Sequence, residues 1–154
     1  MATGQSLKFW TDQSRADDAW ETPLALFQRL NIVFEFQLDV CATRQNAKCP
    51  RFFSPEENGL AQPWRGRCWM NPPYGRGIEA WIQKAYEEAA AGHALVVGLI
   101  PAKTDTGWWH DFVAGTTVHL FRRRLRFNGS KTNAPFASAL AIWWPSPGAG
   151  YLVS

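Results

Sequence analysis

Seven consecutive apolar residues, Ala94-Leu95-Val96-Val97-Gly98-Leu99-Ile100, constrain the fold of this chain more than any other stretch. A strand with one wet face alternates polar and apolar residues, and this run does not. It is also far short of the ~18–20 residues that would cross a bilayer. It reads as a strand buried on both faces, which requires helices on either side of a sheet. Just ahead of it, Ile78 to Ala91 has helical periodicity: Trp81, Ile82, Ala85, Tyr86 and Ala89 share a face, and Gly92 stops the helix. The expected fold class is therefore α/β, a single domain with a mixed, largely parallel sheet. Ligands of such sheets bind beyond the carboxyl ends of the strands.

Three more segments are expected to deliver residues to that edge. Thr22 and Pro23 open a helix as N-cap and first helical residue, with Leu24, Phe27 and Leu30 following at spacing three and Asn31 able to end it. Residues 32–40 alternate, predicting a strand that carries Asp39 to its carboxyl end, followed by a small-residue turn through Cys41 and Ala42. Asp39 either meets a ligand there or caps its own turn. Residues 43–64 read as loop, with Glu56 and Glu57 as ribose-diol candidates or ordinary solvated surface. Arg67 to Met70 is a short strand leading into Asn71.

The last third reads as antiparallel. Val118 to Phe121 and Leu125 to Phe127 flank Arg122-Arg123-Arg124, Asn128-Gly129 is a turn, and Ala137 to Trp144 is a final strand. Trp108 to Val113 is a short helix. Residues 1–20 form a polar arm with Phe9 and Trp10 as anchors, residues 21–144 the folded domain, and residues 145–154 a loose tail.

The chemistry is concentrated in Asn71-Pro72-Pro73-Tyr74. Asn71 offers a side-chain carbonyl acceptor. Pro72 and Pro73 stiffen the chain and lack N–H donors, so the backbone presents acceptors. Tyr74 supplies a π-face for a planar ring. Together they suit an exocyclic amine on a heterocycle, held by its two N–H groups while it accepts a methyl group. Two acceptors stabilise the positive charge that builds on that nitrogen, and neither a metal nor a covalent intermediate is needed. The alternative is a Pro-Pro loop that merely ends a strand.

Composition narrows the class further. The chain has 154 residues, enough for one core, and its 46% apolar and 19% charged content is ordinary for a globular protein. Its nine tryptophans are not ordinary, and serve either a core or base stacking. Net charge is only +3. Cys41, Cys49 and Cys68 form no Cys-x-x-Cys pair, so they read as reduced, buried thiols and not as a zinc site. No signal peptide or membrane-length apolar run is present. The dense cations are Arg122, Arg123, Arg124, Arg126 and Lys131, a solvated edge or a contact for backbone phosphates. Lys103, Thr104 and Asp105 stand beyond the buried strand and shape the pocket.

With these pieces in place the chain resembles the small DNA N6-adenine methyltransferases encoded by bacteriophages and prophages, the phage Dam-like family. The resemblance runs from about Trp20 to Trp144. It rests on Trp20-Glu21-Thr22-Pro23, Leu38-Asp39-Val40-Cys41-Ala42, Asn46-Ala47-Lys48-Cys49, Trp69 to Gly75, Lys84-Ala85, Pro101 to Asp105, Arg124-Leu125-Arg126-Phe127 and Pro135-Phe136-Ala137-Ser138. It implies a reduced Rossmann-like methyltransferase core and S-adenosylmethionine as cofactor. Thr22, Pro23, Asp39, Cys41 and Ala42 match cofactor-binding positions, and Asn71 to Tyr74 the catalytic loop. Lys103, Asp105 and the basic cluster would then face DNA, whose target adenine must leave the helix stack. The cytoplasm of a bacterial host is the implied location.

Two departures stand out. No glycine-rich turn follows Asp39, and Asn58 stands where the family pattern leads one to expect Asp. With no evident target-recognition domain, base reading falls to residues 105–117 and 122–136 or to a second subunit of a homodimer. Two other functions remain open at this point: the same chemistry on RNA or a protein glutamine, and a non-catalytic DNA-binding protein on a decayed methyltransferase fold.

Overall fold

In a computed structural model that describes residues 20–147, the chain forms a five-stranded sheet with a helix on each face. The elements in order are α1 (Leu24–Phe34), β1 (Leu38–Asp39), β2 (Gly66–Met70), α2 (Ile78–Ala90), β3 (Ala94–Pro101), β4 (Thr117–Leu120) and β5 (Ser138–Trp143). Short helical turns at Gly59–Ala61 and Trp109–Val113 join them, the second of π type. The sheet order is β1-β2-β3-β5-β4. β1, β2 and β3 pair in parallel; β5 runs antiparallel to both its neighbours, so four of the five strands point the same way. This is the mixed, largely parallel sheet of a Rossmann-like methyltransferase.

β3 is the centre of the core, and all eight of its residues are buried. Parallel register puts Trp69 beside Val97, on the face where Phe27 of α1 and Phe36 pack their rings against the Trp69 indole. The opposite face takes Trp143, which reaches its indole N–H to the Phe112 carbonyl in the π-type turn. Gly98 makes room on this second face: a Cβ there would meet Met70 Cε at 2.8 Å and Trp143 Cζ3 at 2.9 Å. Most of the tryptophans are therefore core, with Trp64, Trp69, Trp81, Trp108, Trp109 and Trp143 all buried.

Several expectations are corrected. Asn31 does not end the first helix; α1 runs on to Phe34, and Glu35 stops it in a left-handed conformation (φ 49°). Asn31 Oδ1 instead accepts the Phe36 N–H at 2.8 Å. The alternation over residues 32–40 was therefore the outer end of a helix, with Ile32 and Val33 exposed, and only Leu38–Asp39 is strand. Pro23, not Thr22, occupies the N-cap position, and no side chain caps the helix. Leu125 to Phe127 is not a strand: residues 121–137 form an irregular loop, pinned by Ala134 N–H to the Leu125 carbonyl, with a turn at Asn128-Gly129. Phe9, Trp10 and residues 148–154 lie outside the described residues. Among the described residues no helix is long and apolar enough to cross a membrane.

Candidate active site

The parallel strands β1, β2 and β3 all end at one edge, and the sequence-predicted residues gather there. Asp39 and the Cys41-Ala42 turn follow β1, Asn71 to Tyr74 follow β2, and Lys103 to Asp105 follow β3. β5 runs the other way, so its first residue, Ser138, returns to this edge opposite Pro101.

Residues 20–22 cross the edge as a strap. Asn71 Nδ2 donates to the Trp20 carbonyl at 2.6 Å and to Thr22 Oγ1 at 3.0 Å. A carbonyl oxygen only accepts, so this contact fixes which way the Asn71 amide is turned. Its Oδ1 then faces away from the strap, buried and with no hydrogen-bond partner. Lys48 Nζ pairs with Glu21 Oε1 at 3.0 Å, and the Asn128 N–H donates to the Glu21 carbonyl. The strap thus ties together the loop after β1, the loop after β2 and the basic loop before β5.

Asp39 is 2% exposed, and its carboxylate anchors its own turn. Oδ1 accepts the Cys41 N–H at 3.3 Å and Oδ2 the Lys48 N–H at 3.0 Å. Burial drives its pKa up to about 7, against the lowering effect of those two N–H groups and the Lys48 charge. Of the two roles open in the sequence, the turn cap is the one these contacts show. Cys41 contributes through its backbone; its thiol is buried and held protonated. Ala42 N–H bonds the Phe53 carbonyl, and Phe52 bridges Asp39 in parallel, adding one rung beside β1. The turn has no glycine, and its Cys41 and Ala42 amides are hydrogen-bonded within the protein.

Gly59 approaches the end of β1 so closely that a Cβ would overlap the Val40 carbonyl oxygen. The preceding Asn58 is in a left-handed conformation (φ 54°), with its Oδ1 buried and unpartnered. A cleft of about 730 Å³ opens beside it, with Thr43, Arg44, Arg51, Phe52, Pro55 and Glu56 among its lining residues. Glu57 also lines it, but Glu57 Oε2 accepts the Ser54 N–H while the Glu57 N–H reaches Ser54 Oγ, a reciprocal capping box. Among the described residues, the three buried side-chain polar atoms without a partner are on Asn58, Asn71 and Ser138. They follow β1, follow β2 and begin β5, all at the strand edge where the loops converge.

Tyr74 departs from expectation. Its ring is 5% exposed, its hydroxyl donates to the Leu99 carbonyl at 3.0 Å, and the rings of Phe136 and Phe127 meet it edge-on at 5.3 and 6.1 Å. No open π-face is presented. The half-buried rings at the rim are Trp20 and Phe136, packed edge to face at 5.2 Å. Pro72 is buried and Pro73 half-buried.

Lys103, Asp105, Arg122, Arg123, Arg124, Arg126 and Lys131 are exposed, in loops that follow β3 or precede β5. Arg126 Nε is held by the Ser130 carbonyl at 3.0 Å. Sequence reasoning gave no role to Trp20, Glu21, Lys48, Phe136 or Ser138. A signal existed, since each lies within one of the quoted motif pieces. Among the described residues no group of three or more His, Cys, Asp or Glu is placed to hold a metal.

The family model for DNA N-6-adenine-methyltransferase (Dam) matches residues 11–146. The chain belongs to this family. It is 33% identical over 120 residues to the DNA N-6-adenine-methyltransferase of Haemophilus phage HP1, covering 75% of this chain and 69% of that one. The DNA N-6-adenine-methyltransferase of Escherichia phage T1 is 29% identical over 112 residues, 71% of this chain. This chain matches only 46% of the T1 protein's length. Family membership implies a methyl donor and a DNA substrate.

Proposed function

We propose that the protein methylates N6 of adenine in DNA with S-adenosylmethionine as donor, and that Asn71 Oδ1 receives one of the amine's N–H groups. The observation that carries this reading is the orientation of the Asn71 amide. Its nitrogen is spent on Trp20 and Thr22, while its oxygen is buried and unmatched at the strand edge. A buried acceptor without a donor costs ~1–3 kcal/mol, which an incoming amine would relieve. The adenine amine is a poor nucleophile because its lone pair is shared with the ring. An acceptor fixed beside it favours the positively charged nitrogen of the transition state over the neutral ground state. The Pro72 carbonyl supplies the second acceptor. The methylated ammonium is strongly acidic and loses its proton to water, so no dedicated base is required.

We assign the donor to the cleft beyond β1. Phe52 gives the cleft an apolar wall and Arg44 and Arg51 offer cations for a carboxylate, while Asn58, next in the chain to the lining residue Glu57, holds a buried, unpartnered Oδ1 for an adenosine group. When bound, S-adenosylmethionine supplies an electrophilic methyl group on sulfur and a neutral thioether as leaving group. Asp39, Cys41 and Ala42 shape this cleft by holding the turn, and contribute little direct contact. An extruded adenine costs a few kcal/mol in lost stacking and pairing. Trp20 and Phe136 are the aromatic surface it meets. The cations of the 122–131 loop hold the phosphates on either side.

The test is to supply radiolabelled S-adenosylmethionine with duplex DNA, single-stranded DNA, RNA and protein extract in parallel. Label recovered as N6-methyladenine in DNA, reduced about 10²–10³-fold in kcat by Asn71→Ala, is the expected result. Label confined to RNA or protein would replace the substrate. No label and no donor binding would defeat the reading.

A further inference from the structure

The structure assigns Thr22 a positioning role, with the Trp20 carbonyl, as a lock on the Asn71 amide that restricts this site to hydrogen-bond donors. This rests on the proposed methyl transfer at Asn71 and moves Thr22 from the cofactor to the catalytic loop. An asparagine amide is nearly symmetric in shape, and turning it over exchanges an acceptor for a donor. Turned over, Asn71 would offer N–H to the target position, matching the carbonyl of guanine or thymine in place of an amine. Two acceptors oppose that turn. The Trp20 carbonyl oxygen stands 2.6 Å from Nδ2 and Thr22 Oγ1 stands 3.0 Å from it. Flipping would set Asn71 Oδ1 against the Trp20 oxygen, two acceptors with no proton between them.

The lock is itself held in place. Thr22 is 1% exposed, so its hydroxyl has no competing water. The ring of Trp20 packs on Phe127 and Phe136, at 5.4 and 5.2 Å. Glu21, between them, is fastened on both sides by Lys48 and by the Asn128 N–H. Thr22 does not cap α1, so this helix-start residue has no other hydrogen-bonding duty there. Because N–H and C=O are distinguished before any chemistry, a lock of this kind selects exocyclic amines over carbonyl-bearing bases.

The experiment compares wild type, Thr22→Val and Thr22→Ser in two readouts. Valine keeps the shape of threonine and removes the acceptor; serine keeps the acceptor and removes a methyl. In the first readout, NMR of side-chain-¹⁵N-labelled protein follows exchange of the Asn71 Nδ2 protons without any ligand. Both protons are expected to be protected in wild type and Thr22→Ser, and one to be released in Thr22→Val. In the second, DNA methylation by Thr22→Val is expected to fall about tenfold in kcat, the worth of one hydrogen bond at the reacting group. Its KM for S-adenosylmethionine is expected to stay at the wild-type value, and Thr22→Ser to restore kcat. A Thr22→Val enzyme with wild-type kcat, a loss that serine fails to restore, or a loss that appears in donor affinity would overturn the assignment. If wild type methylates no DNA, the proposed function fails, and the exchange readout alone decides whether the lock exists.

Discussion

At the scale of single residues, the site depends on where protons sit. Asn71→Asp replaces the nitrogen facing Trp20 with oxygen, 2.6 Å from a carbonyl. The carboxylate form is repelled there, so this Asp must keep its proton to donate to Trp20, and burial raises its pKa further. Activity of Asn71→Asp is therefore expected to be highest in acid and to fall as pH rises, lying about tenfold or more below wild type at neutral pH. A kcat profile against pH checks this. Asp39 behaves comparably within the fold. Its ordinary value is 3.8 and burial lifts it to about 7 in the folded protein. Below about pH 4 both states are protonated and it contributes nothing. As pH rises to about 7 the unfolded chain ionises first, and stability is lost across that window. Urea unfolding is expected to show this decline in wild type and a flatter profile in Asp39→Asn. A wild-type profile without the decline would mean the carboxylate is ionised throughout.

At the scale of elements, Gly59 shows how the β1 edge is built. Its turn lies against the Val40 carbonyl with no room for a Cβ. Gly59→Ala is expected to lower stability by about 1–3 kcal/mol, as an overpacked core position, read as a drop in Tm. By displacing Asn58 it is also expected to weaken S-adenosylmethionine binding in calorimetry; unchanged affinity would remove Asn58 from the donor site. The elements legible in the sequence were those whose signal is local. β3 is a continuous apolar run, α2 a clear amphipathic face ended at Gly92, and β5 lies within the expected 137–144. α1 and β1 were misread at their junction because Ile32 and Val33 are apolar yet exposed, so period alone could not show the helix continuing. Leu125 and Phe127 suggested a strand, but Phe127 is buried against Trp20 and Tyr74. It anchors a loop with no partner strand to extend it.

For the whole molecule, a net charge of +3 is small, so affinity for DNA must come from where cations are placed. Arg122, Arg123, Arg124, Arg126 and Lys131 share one exposed loop on the side of the sheet that carries Asn71. Replacing Arg124 with Gln is expected to weaken binding to all sequences alike and to reduce the slope of log K against log salt by about one. A changed sequence preference with an unchanged slope would mean that Arg124 reads bases. The basic loop is also tied to the catalytic edge, since Asn128 holds the Glu21 carbonyl of the strap that orients Asn71. Sequence by itself determined the α/β class, the buried central strand, the Asn71 to Tyr74 loop and the family, because each is written in neighbouring residues or ordered motif pieces. Only the tertiary structure decided that Thr22 accepts a hydrogen bond from Asn71, that Asp39 anchors its own turn and that the Tyr74 ring is covered. The reason is physical: Thr22 and Asn71 are 49 residues apart, and Tyr74 is held by Leu99 at a separation of 25. Those contacts exist only once the sheet has brought its loops to one edge.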